Sequence, residues 1–306
     1  MEKFKHGYAE FKRKARAHQV LFREKELGVD YNVYPNVLNC SDAEEGLVFY
    51  EGFRIEIMEE LKKPVPKTSS APSGQMLTNL LRSEHIPYNI FYPMNKDMGG
   101  CKKLFNEILG GGIMAVNEIC IEHHPEPIEE YLSDHTAFDV YISYTDTNNM
   151  PCGIGIEVKY TEKEYPLKKG TTEYKHVKNE STGETTLFPH YLNATVNSRY
   201  YKDNVSYDTL VSNKFRQIWR NHILGASMVL HGDIRKFTSV TLYPEANTHF
   251  NEDAMPKYQG LLSEIGRMSF VPLTYEKLFE LMGKYMNVEH CDAWIEYLKR
   301  RYILKY

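Results

Sequence analysis

Two segments of the chain alternate apolar and polar residues: Phe138-Asp139-Val140-Tyr141-Ile142-Ser143-Tyr144 and Gly155-Ile156-Glu157-Val158-Lys159-Tyr160. A period of two is the signature of a strand. It predicts strands over 138–144 and 153–160, joined by the turn Asp146-Thr147-Asn148-Asn149-Met150-Pro151. A third strand is expected over 113–122, entered through Gly110-Gly111-Gly112 and closed by His123-His124-Pro125. A fourth spans 237–243 and stops at Pro244. Helical spacing governs other stretches. Phe53, Ile57, Met58 and Leu61 predict a helix over 51–63. Phe215, Ile218, Trp219, Ile223 and Met228 predict one over 210–230, with Lys214, Gln217 and Arg220 as its polar stripe. Leu77, Leu80 and Leu81 suggest a helix over 73–84, ended by Pro87.

The order helix, three strands, helix, strand implies a three-layer α/β core with a mixed sheet. Residues 1–66 read as a helical N-terminal extension, set off by a Pro- and Ser-rich linker from Pro64 to Gly74. Residues 67–245 hold the core, with a polar insertion at 161–209, and 246–306 read as a mainly helical C-terminal extension.

Composition narrows the class. The chain has 306 residues, enough for one large domain with additions. Its five cysteines are odd in number and form no C-x-x-C pair, so reduced thiols are expected rather than a zinc site or a disulfide framework. No apolar run reaches the roughly 20 residues that span a bilayer, and the N-terminus lacks an apolar signal core. A cytoplasmic protein without a membrane partner is the expectation. A net charge of −4 does not advertise nucleic-acid binding, although basic residues cluster at 3–25, 168–178 and 299–305. A local groove can be basic on an acidic protein. Gly110-Gly111-Gly112 lacks the G-K-[ST] of a phosphate loop.

The candidate chemistry lies on the central strands. A period of two puts Glu157 and Lys159 on one sheet face, with Val158 on the other. If the two strands pair, Asp139 reaches the same face. Two carboxylates and an amine then converge on a space the size of a hydrated metal ion. An isolated Glu-x-Lys on a strand is ordinarily just an ion pair; strand context on both arms is what raises this one above that reading.

With its strand order, the pattern Asp139…Glu157-Val158-Lys159 resembles the PD-(D/E)XK nuclease superfamily, the restriction-endonuclease-like fold. Ala137-Phe138-Asp139-Val140-Tyr141-Ile142 and Gly155-Ile156-Glu157-Val158-Lys159-Tyr160-Thr161-Glu162 are similar to a bacterial restriction-endonuclease-like subgroup. So are Glu122-His123-His124-Pro125 and Gln217-Ile218-Trp219-Arg220. Phe138 stands where the superfamily name has proline. The resemblance spans about residues 75–245.

It implies a Mg²⁺-dependent deoxyribonuclease, with Mn²⁺ as a substitute, in restriction or phage defence. Mg²⁺ binds through one or two carboxylates and keeps several waters. Asp139 and Glu157 would hold it, aided by the Val158 carbonyl, and Lys159 would orient the attacking water. The resemblance also suggests Glu84 and Glu122 as further acids and Gln217 as a polar partner of Lys159 or of a phosphate. Arg220 and Lys214 are expected to reach the DNA backbone. The Tyr- and Lys-rich insertion, with Tyr174, Lys175, His176, Lys178, Tyr191 and Tyr200, suits phosphate and base contacts. Double-strand cutting by one site per chain would favour a homodimer; a defence-complex partner is the other option. The competing reading is a nuclease-fold nucleic-acid-binding module without its own cleavage activity, within a larger complex.

Overall fold

The computed structural model describes residues 2–64 and 73–304. The expected linker falls largely outside the described residues. In chain order the elements begin with α1 (Glu2–Phe22), α2 (Cys40–Glu44), α3 (Arg54–Lys62), α4 (Ile86–Met94), α5 (Met98–Leu109) and β1 (Ile113–His123). Next come β2 (Phe138–Asp146), β3 (Pro151–Val158), α6 (Thr172–Val177), α7 (Pro189–Asn197), α8 (Tyr207–Leu210), α9 (Arg216–His231) and β4 (Lys236–Tyr243). The chain closes with α10 (Met255–Leu261), α11 (Glu264–Met268), β5 (Phe270–Thr274), α12 (Tyr275–Tyr285) and α13 (Cys291–Tyr302).

The five strands lie in the order β1-β2-β3-β4-β5. β1, β2 and β3 are antiparallel neighbours, while β4 and β5 join in parallel. The first three strands need only short turns. The parallel step from β3 to β4 needs a crossover, and α9 supplies it. β5 comes from a segment expected to be mainly helical. Pro272 disguises it, yet an edge strand tolerates a proline whose missing N–H faces away from the ladder.

Alternation sorts the strand side chains into two cores. Val140, Ile142, Ile154, Ile156, Val158, Val240 and Leu242 pack with α4, α5, α12, α13 and α1 on one side. Tyr141, Phe237 and Tyr243 pack with Ile218, Trp219 and Ile223 of α9 on the other. Phe11 and Ala15 of α1 and Trp294, Leu298 and Tyr302 of α13 belong to the same cluster as the strands.

Three glycines keep this side of the sheet compact: Gly153 and Gly155 leave room for sheet aromatics to lie over the strand, and Gly225 lets α9 rest on one of those rings. A Cβ on Gly155 would meet the rings of Phe138 and Phe237 at 2.5 and 2.8 Å. A Cβ on Gly153 would press into Tyr141, and one on Gly225 into Phe237. This proximity lets polar groups at the start of α9 reach the ends of β2 and β3.

The helix expected over 73–84 is absent. That stretch forms turns, and its backbone pairs with 36–38: Leu38 N–H donates to Thr78 at 2.9 Å and Leu80 N–H to Asn36 at 3.1 Å. The helix begins instead at Ile86, with Pro87 in its first turn, where a missing N–H costs nothing.

The insertion at 161–209 carries α6, α7 and α8, which pack onto α9. Its expected base-contacting residues need correcting, because His176, Tyr191 and Tyr200 are buried. Lys175 and Lys178 pair with Glu180 and Asp208.

Candidate active site

The strand register builds the site. Val140 pairs with Ile156 and Tyr141 with Gly155. One step further puts Asp139 opposite Glu157, and directly opposed residues project to the same face. Val158 N–H donates to Asp139 Oδ2 at 2.6 Å, which fixes the carboxylate across the end of the β2–β3 pair. Beyond β3 the chain stays extended, and Lys159 N–H donates to the Leu242 carbonyl at 2.8 Å. Lys159 therefore keeps the alternation and projects beside Glu157.

Lys159 and Glu157 are both buried. Lys159 Nζ ion-pairs with Glu157 Oε1 and donates to Gln217 Oε1 at 2.6 Å. Its ammonium also lies 5.4 Å from the ring centre of Tyr165. Burial opposes a charge on Lys159, but Glu157 and Asp139 outweigh it and hold the ammonium above its ordinary range. Glu157 Oε2 accepts a hydrogen bond from Asn221 Nδ2. Gln217 and Asn221 are one helical turn apart, so α9 grips both members of the ion pair.

Asn221 was not anticipated from the sequence. Its i+4 spacing from Gln217 is the signal that points to it.

Tyr160 and Thr161 anchor this strand end from the opposite side. The Tyr160 hydroxyl accepts from Gln19 of α1 at 2.8 Å. Thr161 Oγ1 donates to Leu81 at 3.1 Å. Glu162 accepts from the Ser83 and Tyr160 N–H groups, each at 3.0 Å, so it stitches the 81–84 turns to the strand.

That stitching brings in Glu84. It sits in the turn before α4 rather than at a helix end, and accepts from Arg82 at 2.9 Å and Ser73 at 2.8 Å. Glu122, near the end of β1, has φ of +56°. Left-handed backbone costs a residue with a Cβ about 1–2 kcal/mol, and such outliers gather at functional sites. Glu122 lies between the pairs Ile121–Val140 and His123–Phe138, level with Asp139.

The carboxylates repel one another. Burial, then Glu157, then Glu84 raise the Glu122 pKa to about 7. Burial, then Glu157 and Glu122 push Asp139 well above the carboxylate range, and Lys159 and the Val158 N–H offset only part of this. A cation would relieve that repulsion, and the carboxylate oxygens present are donors that Mg²⁺ accepts. Among the described residues no three His, Cys, Asp or Glu side chains make a ready metal cage. An ion that keeps most of its waters does not require one.

The two expected DNA contacts on α9 have protein partners. Arg220 donates to the Tyr191 hydroxyl at 2.8 Å and to Asp134 at 3.0 Å, and pairs with Glu173 at 3.0 Å. Lys214 pairs with Asp253 at 2.5 Å. The structure thus brings Asp139, Glu157, Lys159, Gln217 and Glu122 together, with Glu84 close by, while Arg220 and Lys214 are spent on tying α9 to its surroundings.

A mixed five-stranded sheet between helical layers, with a carboxylate and lysine cluster where its central strands end, defines the α/β restriction-endonuclease-like fold. A family model of the PD-(D/E)XK nuclease superfamily matches residues 7–304, nearly the whole chain, and the protein belongs to that superfamily. Membership implies nuclease activity on a nucleic-acid substrate, and nucleases of the superfamily typically use divalent metals. No curated protein and no solved structure matches the chain. Among the described residues no helix is long and apolar enough to cross a membrane.

Proposed function

We propose that the protein is a Mg²⁺-dependent deoxyribonuclease, an endonuclease of restriction or phage-defence type, in which Mn²⁺ can replace Mg²⁺. One observation carries this reading. Lys159 Nζ is held between Glu157 and Gln217, and Asp139 lies opposite Glu157 on the same face. The defence setting rests on the similarity of the 137–142 and 155–162 segments to bacterial restriction-endonuclease-like proteins.

Asp139 and Glu157 would hold the cation, with the Val158 carbonyl as a third donor and Glu122 and Glu84 within reach of its waters. Bound there, the ion would neutralise charge on the phosphoryl oxygens and make a water more acidic. The chain's own residues do the rest. Asp139 is oriented by the Val158 N–H before any substrate arrives. Lys159 stays protonated and presents donors to the attacking water and to the charge growing on phosphorus. Gln217 and Asn221 hold the Lys159–Glu157 pair in place, so little reorganisation accompanies the reaction. Attack by water forms a P–O bond while the bond from phosphorus to the leaving oxygen breaks; the water gives up a proton and the leaving oxygen takes one up.

Plasmid cleavage with Mg²⁺ or Mn²⁺ tests the proposal. Wild type should cut, and Lys159→Ala should cut roughly 10²–10³-fold more slowly, the usual loss of a transition-state donor. Equal residual cutting by the two proteins contradicts it.

A further inference from the structure

A second polar feature lies beside the catalytic cluster. A cleft of about 430 Å³ opens between α1 and the extended chain that follows Lys159. Tyr8, Lys12 and Arg16 line one wall, and Arg82, Lys163 and Tyr165 line the other. Tyr8, Lys12 and Arg16 recur every four residues, so they form one stripe along α1. The Tyr8 hydroxyl donates to the Thr161 carbonyl at 2.7 Å, which sets the helix against the strand end.

The cleft adjoins the active site through two residues that touch both. Tyr165 is shared: its ring lines the cleft and also faces Lys159 Nζ at 5.4 Å. Arg82 likewise lines the cleft and holds Glu84 at 2.9 Å. Lys12 and Arg16 are exposed, and among the described residues neither has an ion-pair partner. The two acids on the rim are partly neutralised. Glu162 is taken up by two backbone N–H groups, and Glu164 lies 3.9 Å from Lys163. By contrast, Lys175, Lys178, Lys214 and Arg220 of the cap and α9 are paired with protein carboxylates.

We propose that this cleft is the track for the substrate strand next to the scissile phosphate. Lys12 and Arg16 neutralise its phosphates, and the rings of Tyr8 and Tyr165 offer stacking surfaces to its bases. Basic residues interleaved with aromatic rings are the usual means of holding a single nucleic-acid strand. The inference rests on the nuclease reading for its substrate, and it moves the main backbone contact from α9 to the N-terminal helix.

The test is the salt dependence of binding. A labelled single-stranded DNA oligonucleotide is titrated with the full-length protein in Ca²⁺, over a range of KCl concentrations. On a single strand, each lost phosphate contact lowers the magnitude of the slope of log K against log [salt] by about 0.7. The double variant Lys12→Gln/Arg16→Gln should therefore flatten the slope by roughly 1.4, with an unchanged melting temperature. The control Arg235→Gln/Lys236→Gln alters the far end of the sheet, about 20 Å along β4 from Leu242, and should leave the slope intact. A wild-type slope in the first variant, or an equal drop in the control, overturns the proposal. So does a wild-type protein that binds no DNA. Preserved metal-dependent cutting with an unchanged slope removes the cleft alone. A Lys12- and Arg16-dependent slope combined with wild-type cutting by Lys159→Ala removes the catalytic reading and leaves the cleft.

Discussion

The Val158 N–H donates to Asp139 Oδ2 at 2.6 Å, so β3 itself orients the carboxylate that β2 supplies. Asparagine can accept the same bond through its side-chain carbonyl, but it carries no charge. Asp139→Asn should therefore keep the fold while relieving the repulsion from Glu157 and Glu122. In EDTA at neutral pH its melting temperature should rise by about 1–3 °C, the range for roughly 1 kcal/mol in a protein of this size. Mg²⁺ should no longer raise it further, and cutting should be lost. Thermal melts with and without Mg²⁺ check all of this but the cutting. An unchanged Mg²⁺ response would remove Asp139 from the metal site.

Glu122 gives a pH dependence. Its pKa rises from the usual 4.5 to about 7 in the folded protein, through burial and the charges of Glu157 and Glu84. The folded state thus binds this proton more tightly than the unfolded chain does. Its contribution to stability is full below about pH 4.5 and is lost as pH rises through about 7. Metal-free protein should melt at a lower temperature at pH 7.5 than Glu122→Gln does, with the gap closing near pH 4.5. Melts of both proteins in EDTA across that window test it, and parallel curves would contradict it.

Gln217 bonds Lys159 and Asn221 bonds Glu157, so each is expected to act through its partner. Gln217→Ala should lower kcat by about 10–100-fold with little change in KM, the typical cost of removing a group that orients a catalytic residue. Asn221→Ala should instead weaken Mg²⁺ binding, because it frees Glu157. Steady-state kinetics at several Mg²⁺ concentrations separates the two. Identical profiles for both variants would show that α9 does not divide its work this way.

Gly225 allows α9 to lie against Phe237, since a Cβ there would press into the ring. Gly225→Ala should cost about 1–3 kcal/mol, as overpacking of a tight interior does, and the displaced helix should also slow turnover. Denaturant midpoints measure the first effect. A variant as stable as wild type would mean that the helix and sheet have slack between them.

The sheet was readable because β2 and β3 put aliphatic side chains on one face and polar, aromatic or glycine residues on the other, so their alternation survives in the sequence even though β3 is buried on both faces. β4 gave itself away by its aromatic and β-branched run and by Pro244. What stayed hidden was decided by distant contacts. Leu77, Leu80 and Leu81 have helical spacing, but backbone pairing of that stretch with 36–38 wins. The start of α5 is masked by Gly99 and Gly100. The second of these is required because a Cβ there would collide with Asp97 and come within 2.8 Å of the Tyr285 carbonyl. Within the site, strand period puts Glu157 and Lys159 on one face, and the pairing of β2 with β3 adds Asp139 to it. Asn221 and the approach of Glu122 do not follow from either, because they depend on how α9 seats on glycines and on a left-handed residue ending β1. The partners of Arg220 were equally out of reach, since Asp134, Glu173 and Tyr191 come from three separate loops and helices.

Anomalous diffraction from a crystal soaked in Mn²⁺ would locate the cation that Asp139 and Glu157 are expected to hold. A peak is expected between Asp139 and Glu157, with carboxylate oxygens and the Val158 carbonyl at about 2.1 Å, the distance that suits an ion of this kind. A peak elsewhere, or an empty site at saturating Mn²⁺, would contradict that placement.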